Sequence, residues 1–229
     1  MSNNHPPVIT IAGAEAAVIA ETDPLQLSCG ARGCASNCCK SGAPIVLNPY
    51  EIAIICRESK MSYEDLLDIV DTDRADGFPV VMLPRDPACH FWTKQGCSIY
   101  KARPLACRLF PIGRVYEGHQ SLFVLPGRNL CEGLVPEPAR TVGDYLKTQD
   151  TAMHIRMADR WIEFVNKVEQ LSLADKPVTS IAFHLFVYSP DTPPVPSSGN
   201  ADAITSPEER FILRLETALI QLPRFLLHR

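Results

Sequence analysis

The chemistry-bearing residues of this chain are its cysteines, and they are crowded. Gly33-Cys34-Ala35-Ser36-Asn37-Cys38-Cys39-Lys40 sets two thiols side by side, with Cys34 just before them and Cys29 earlier still. The full series is Cys29-x4-Cys34-x3-Cys38-Cys39, then Cys89-x7-Cys97-x9-Cys107, then Cys131. Three chemistries use sulfur this way: a disulfide knot, a redox pair, or a metal held by thiolates. At 229 residues and 46% apolar, the chain buries a core of its own and needs no covalent staples. The cysteine count, nine, is odd. The first basic residue is Arg32, and Glu15 interrupts the mildly apolar run from Ile9 to Ala20, so no export signal is expected. No apolar run reaches the roughly 18 to 20 residues that cross a bilayer, so no membrane association is expected. The chain reads as cytoplasmic. Thiols stay reduced there, and many cysteines then point to metal or redox chemistry. The net charge of −4 argues against nucleic acid as a partner.

Thiolate ligands must converge on one ion or cluster from several directions, so close pairs in a tight loop plus distant ones brought in by folding are the expected arrangement. Adjacent cysteines point about 100° apart on a helix and to opposite faces of a strand, which would assign Cys38 and Cys39 to different metal atoms. Cys29, Cys34, Cys38, Cys39, Cys89, Cys97, Cys107 and Cys131 suffice for two four-thiolate sites. Cys56 falls on a helix face and reads as a buried apolar thiol. The stretch from Arg85 to Arg114 holds six basic residues against the single acid Asp86, a local charge of +5 in an acidic protein. Cations stabilise thiolate charge, although a basic run is also what a solvated face carries. Arg103 and Arg108 are candidates for binding a cofactor or substrate carboxylate through their planar forks; the alternative is that they brace the fold beside Pro104 and Pro111. His90 reads as a bystander to Cys89, Tyr100 as a packing residue, and His119, His154 and His184 have no partner spacing. There is no GxGxxG, P-loop, HExxH or GxSxG motif.

Ala88 to Gly113, "ACHFWTKQGCSIYKARPLACRLFPIG", resembles the cysteine-cluster family described as zinc- or iron-chelating, of the YkgJ type. The resemblance rests on Cys89 and Phe91, on Cys97, Ile99, Tyr100, Arg103 and Pro104, and on Cys107, Arg108, Phe110 and Pro111. Cys131-Glu132-Gly133 resembles the family's last cysteine. It spans about residues 29 to 133, and departs from the CxxCxxCC spacing at Cys29, Cys34, Cys38 and Cys39. The resemblance implies zinc or iron–sulfur and leaves the choice open. Neither the plant-type ferredoxin spacing nor the radical C-x3-C-x2-C loop is present, since Ser41 stands where the latter needs a cysteine. Relatives of the family include a flagellin lysine N-methylase, which implies a lysine-methylating enzyme as one alternative.

Several elements must position this sulfur. Asn48-Pro49-Tyr50-Glu51 is a helix start, followed by the apolar face Ile52, Ile55 and Cys56. Ser62 starts a second helix carrying Glu64 and Asp65 at its positive end. Pro79 to Leu83 and Ser121 to Leu125 read as strands, with the sulfur-bearing segments as loops. Met153, Met157, Trp161, Phe164, Val165 and Val168 predict one long or slightly broken helix from about Thr141 to Leu171, its stripe serving as core. Ser206-Pro207-Glu208-Glu209 opens a terminal helix with the stripe Phe211, Leu215, Leu219 and Leu222. The expectation is an α+β fold: an irregular, metal-organised cysteine-rich domain (1–134), a helical region (135–188), a Pro/Ser-rich linker (189–203) and a C-terminal amphipathic helix (204–229). The functional expectation is a thiolate-held iron–sulfur cluster or zinc, with iron–sulfur slightly favoured and a redox or protein-modifying role. The alternative is a structural zinc module that presents its C-terminal helices to a protein partner.

Overall fold

The computed structural model describes residues 7–11, 13–27, 37–40, 42–75, 78–117, 120–126, 140–170, 180–191 and 206–227. The fold is α+β, with strands mostly in the first half and helices in the second. The chain opens with a hairpin, β1 (Val8–Ile11) and β2 (Ala14–Ile19), turned at Gly13, whose φ of +83° favours glycine. After β3 (Pro24–Leu25) come a one-turn helix α1 (Asn37–Lys40), β4 (Ile45–Leu47), and helices α2 (Pro49–Ser59) and α3 (Tyr63–Leu67). Strands β5 (Asp71–Ala75) and β6 (Phe78–Leu83) follow, then the short pair β7 (Trp92–Thr93) and β8 (Gly96–Cys97). A 3-10 turn over Tyr100–Ala102 leads into α4 (Leu105–Leu109), β9 (Gly113–Glu117) and β10 (Gln120–Pro126). Beyond β11 (Arg140–Thr141) the described elements are helical: α5 (Val142–Thr148), α6 (Ala152–Gln170), α7 (Ser180–Phe183) running into a π turn over His184–Tyr188, and α8 (Pro207–Leu227).

Among the described residues the strands form four antiparallel sheets, with strand orders β1-β2-β10-β9, β11-β3, β4-β6-β5 and β7-β8. The helix starts read at Asn48 and Ser62 are both present as capping boxes. The Asn48 side chain accepts from the Glu51 N–H while the Glu51 carboxylate accepts from the Asn48 N–H, each at 3.0 Å. Ser62 and Asp65 do the same for α3. The long helix is broken once: α5 ends at Gln149, and Asp150, at φ 51°, turns the chain into α6. Hairpin β1–β2 was not anticipated; a run read as mildly apolar pairs with itself about Gly13.

One core joins both halves of the chain. Leu47, Ile52, Ile55, Leu66 and Leu83 pack with Met157, Phe164, Phe183, Val187, Phe211 and Leu222, all nearly or fully buried. A second core holds Leu25, Leu105, Leu109, Val142 and Tyr145 between β3, α4 and α5. The apolar stripe of α8 docks on α2, α6 and the π turn of its own chain. Tyr50 of α2 fixes the contact by donating its hydroxyl to Glu208 at 2.9 Å. Of the expected linker, only Ser189 to Asp191 lies within the described residues.

Candidate metal centre

Cys38 and Cys39 occupy α1, a single turn that two contacts pin to the segment after β6. The Cys89 N–H donates to the Cys39 carbonyl at 2.7 Å. Arg85 donates Nη1 to the Cys38 carbonyl at 3.0 Å and Nε to the Ala43 carbonyl at 2.8 Å, with its guanidinium against Gly42. A Cβ at Gly42 would stand 2.9 Å from Arg85 Nη2, and φ there is +104°. The left-handed backbone is what favours glycine at that turn, while the close atom is the tip of the Arg85 side chain. Cys97 is placed by the β7–β8 hairpin, where it pairs with Trp92 across a turn at Gly96, φ +115°. Lys40 lies over the Trp92 ring, 4.5 Å from its centroid, linking α1 to that hairpin. Cys107 sits in α4. The sulfur-bearing segments are therefore not all loops: α1 delivers two positions, and a loop, a strand and α4 deliver one each.

These segments meet. Cys38, Cys39, Cys89, Cys97 and Cys107 line a single cavity of about 530 Å³, together with Arg85, Lys94 and Arg103 and no carboxylate. The three remaining candidates, Cys29, Cys34 and Cys131, lie outside the described residues. The Sγ atoms of Cys38 and Cys39 are 3.9 Å apart and face the same space. The divergence expected of neighbouring residues does not separate them, because a 100° step around one turn still leaves both beside a cavity this wide. Among the described residues, no group of three or more His, Cys, Asp or Glu side chains comes together as an ion site. The thiols surround a space instead of closing on a point.

Electrostatics follow from that arrangement. The hydrogen shared between Cys38 and Cys39 pushes Cys38 down to about 6, with Arg85 assisting against burial. The same hydrogen pushes Cys39 well above the usual thiol range, aided by burial and by the negative charge of Cys38, Cys107 and Cys97. Burial raises Cys89 and Cys97, and raises Cys107 to about 12. Cys39, Cys89, Cys97 and Cys107 each feel the negative charge of Cys38, so a bound cation would be favoured by the loss of their protons.

The two candidate arginines differ. Arg103 lines the cavity; its guanidinium lies over the Tyr100 ring at 3.6 Å and donates Nη2 to Gln149 at 3.1 Å. Tyr100 is 57% exposed, not packed as its aromatic character suggested. Arg108 is buried away from the cavity. It donates to the carbonyls of Arg103 at 2.9 Å, Gln149 at 2.9 Å and Lys101, and to His154 Nε2 at 3.1 Å. Those contacts brace the 3-10 turn against the α5–α6 junction. His154 must then carry its hydrogen on Nδ1, a buried atom without a hydrogen-bond partner; the Tyr50 ring beside it, T-shaped at 5.5 Å, offers a π face. His90 is exposed and off the cavity. Cys56 is 7% exposed, donates weakly to the Ser62 carbonyl at 3.8 Å, and lies apart from the other sulfurs.

Glu51 and Arg85 are the residues whose roles the sequence left unread. Beyond capping α2, the Glu51 carboxylate accepts the Leu105 N–H at 2.7 Å, so it also caps the helix that carries Cys107. Its place in a capping box signalled only the first role. Arg85 was visible as part of the basic surplus, but nothing marked it as the clasp on α1.

Comparison with curated proteins and with solved structures returns no match. Residues 28–124 match the family model CxxCxxCC, described as "Putative zinc- or iron-chelating domain". The segment that folds the five thiols around one cavity is thus the part of the chain that is similar to the CxxCxxCC family.

Proposed function

We propose that this protein holds an iron–sulfur cluster in the thiol cavity, with ligands drawn from Cys38, Cys39, Cys89, Cys97 and Cys107 and from Cys29, Cys34 and Cys131. The observation that carries the reading is the lining itself: five thiols from four separate segments, three cations and no carboxylate around about 530 Å³. An all-sulfur donor set suits soft metals and iron–sulfur clusters. A cluster puts several atoms between its thiolates, which fits sulfurs arranged around a space. The cations offset the negative charge of a thiolate-bound centre. Bound there, a cluster supplies electron-transfer capacity tuned by nearby hydrogen bonds and charge. One distance favours a second reading, a structural zinc site. With zinc–sulfur bonds near 2.3 Å, two ligands of one tetrahedral ion stand about 3.8 Å apart, and Cys38 and Cys39 are 3.9 Å apart.

Purification without oxygen, a visible spectrum and elemental analysis decide between them. Iron with acid-labile sulfide and a brown colour supports the cluster; colourless protein with stoichiometric zinc supports the structural site. Cys38→Ser, Cys39→Ser and Cys97→Ser are each expected to lose metal. Full metal content in all three would overturn both readings.

A further inference from the structure

A second concave site, of about 430 Å³, lies between α2, α4, β9 and α6, and none of its lining is shared with the thiol cavity. That volume is in the range of small-molecule pockets. Helix α4 separates the two spaces: Leu105, Ala106 and Leu109 line this one, and Cys107 lines the other. Across from them stand Ala158, Trp161 and Ile162, whose spacing of three and four puts them on one face of α6. The walls are therefore apolar, and they are apolar on both sides.

Four polar side chains interrupt them: Asn48, Glu51, Arg114 and Tyr116. Their oxygens are occupied. Glu51 accepts the Asn48 and Leu105 N–H groups, Asn48 Oδ1 accepts the Glu51 N–H, and the Tyr116 hydroxyl accepts from Arg114 at 2.6 Å while donating to Asp159 at 3.1 Å. Two nitrogen donors are not occupied. Asn48 is 6% exposed, and its Nδ2 has no hydrogen-bond partner among the described residues. The Arg114 side chain is 7% exposed and donates Nη2 to Ser121 and to Asp159, each at 2.7 Å, but its buried Nε has no hydrogen-bond partner. The Tyr116 and Phe123 rings flank that guanidinium, 5.0 and 6.0 Å from its central carbon. A buried donor without an acceptor is costly. Water would satisfy such donors and leave the apolar walls wet, whereas a carbonyl on an apolar body meets both needs. The ligand's charge is also constrained. Asp159 balances Arg114, and Glu51 adds a negative charge to the wall, so nothing here recruits an anion. An ammonium would bring N–H donors to open groups that are themselves donors.

We propose that this cavity binds a neutral, apolar carbonyl compound, its oxygen accepting from Asn48 Nδ2 on the side of Arg114 and its body held between α4 and α6. Equilibrium dialysis of the protein as purified with 2-acetylnaphthalene tests this. The comparators are 2-isopropenylnaphthalene, which has the same shape without the oxygen, the anion 2-naphthoate and the cation 2-naphthylmethylammonium. The ketone should bind about tenfold more tightly than each of them, the worth of one buried hydrogen bond. Asn48→Asp keeps the oxygen that caps α2 and removes the donor, so it should weaken the ketone about tenfold and leave 2-isopropenylnaphthalene unchanged. Ala158→Trp fills the space from α6 and should abolish binding of both while far-UV circular dichroism stays that of wild type; if that variant does not fold, the ligand series and Asn48→Asp decide alone. Absence of ketone binding overturns the proposal, as does undiminished ketone affinity in folded Ala158→Trp. Equal affinity for the ketone and 2-isopropenylnaphthalene, or tighter binding of either ion, overturns the assignment of a neutral carbonyl. Equal weakening of ketone and hydrocarbon in Asn48→Asp, or no weakening of either, overturns the contact with Nδ2.

Discussion

Replacing Glu51 should disturb stability in a way that depends on pH, with a sign fixed by its surroundings. The side chain is 4% exposed, and its carboxylate accepts from Asn48 at 3.0 Å and from Leu105 at 2.7 Å. Truncation in Glu51→Ala strands both buried N–H groups, at roughly 1–3 kcal/mol each, so a loss of about 3 kcal/mol or more is expected. Glu51→Gln keeps the shape but turns an amide NH2 toward one of the two donors, for a smaller loss of about 1–2 kcal/mol. Burial raises the Glu51 carboxyl from 4.5 to about 6, against the help of the Asn48 and Leu105 N–H groups and Arg108. A group whose pKa is raised by folding stabilises the fold fully below its unfolded value, and that contribution disappears as pH rises through the folded value. At 1.36 kcal/mol per pH unit the rise amounts to about 2 kcal/mol. Gln cannot titrate, so the wild-type advantage over Glu51→Gln should be largest below pH 4.5 and should shrink from there by about 2 kcal/mol toward neutrality. Urea unfolding of both proteins, followed by far-UV circular dichroism across that range at constant ionic strength, measures the difference. A difference that stays flat, or grows with pH, would refute the reasoning, because the N–H donors and Arg108 would then outweigh desolvation.

Two further outcomes follow from the placement of the thiols and of Arg85. Cys56→Ala should keep the full metal-to-protein ratio by elemental analysis and cost about 1 kcal/mol of stability, whereas Cys107→Ser should lose metal. Equal metal loss in both would mean that Cys56 belongs to the site. Arg85→Ala removes the contacts to the Cys38 and Ala43 carbonyls and a cation beside the thiols. It should release metal to a chelator at least about tenfold faster than wild type, and Arg85→Lys should restore the rate only in part, since a single ammonium lacks the fork that spans two carbonyls. An unchanged release rate in Arg85→Ala would show that α1 is held by other contacts.

The sequence exposed the parts of this fold that depend on neighbours along the chain and hid those that depend on partners across it. Asn48 with Glu51, Ser62 with Asp65, and Ser206 with Glu209 are three-residue hydrogen-bond relationships, and all three helix starts stand where spacing put them. Strands β5 and β9 gave no such signal. Asp71-Thr72-Asp73-Arg74 is polar, and it forms a strand because it pairs with β6 at a sheet edge. The candidate site divides the same way. That the sulfurs gather was legible from their number and from the basic surplus. That Cys38 and Cys39 share one cavity was not, because the directions of two adjacent side chains say nothing of the width of the space between them.

Arg108 shows why the two readings of a basic residue could not be separated beforehand. Its neighbours Pro104 and Pro111 were visible, but the partners that occupy its guanidinium come from elsewhere: the Gln149 carbonyl at the α5–α6 junction and His154, 46 positions away. The break at Asp150 creates that carbonyl's position, and Asp150 owes its left-handed backbone to the turn between two helices that the apolar pattern showed as nearly continuous. Arg103, five residues earlier, stays on the cavity because the 3-10 turn places it over Tyr100. A guanidinium that faces a cavity can exchange its partner for a ligand, while one enclosed by backbone carbonyls cannot do so without breaking the junction it holds.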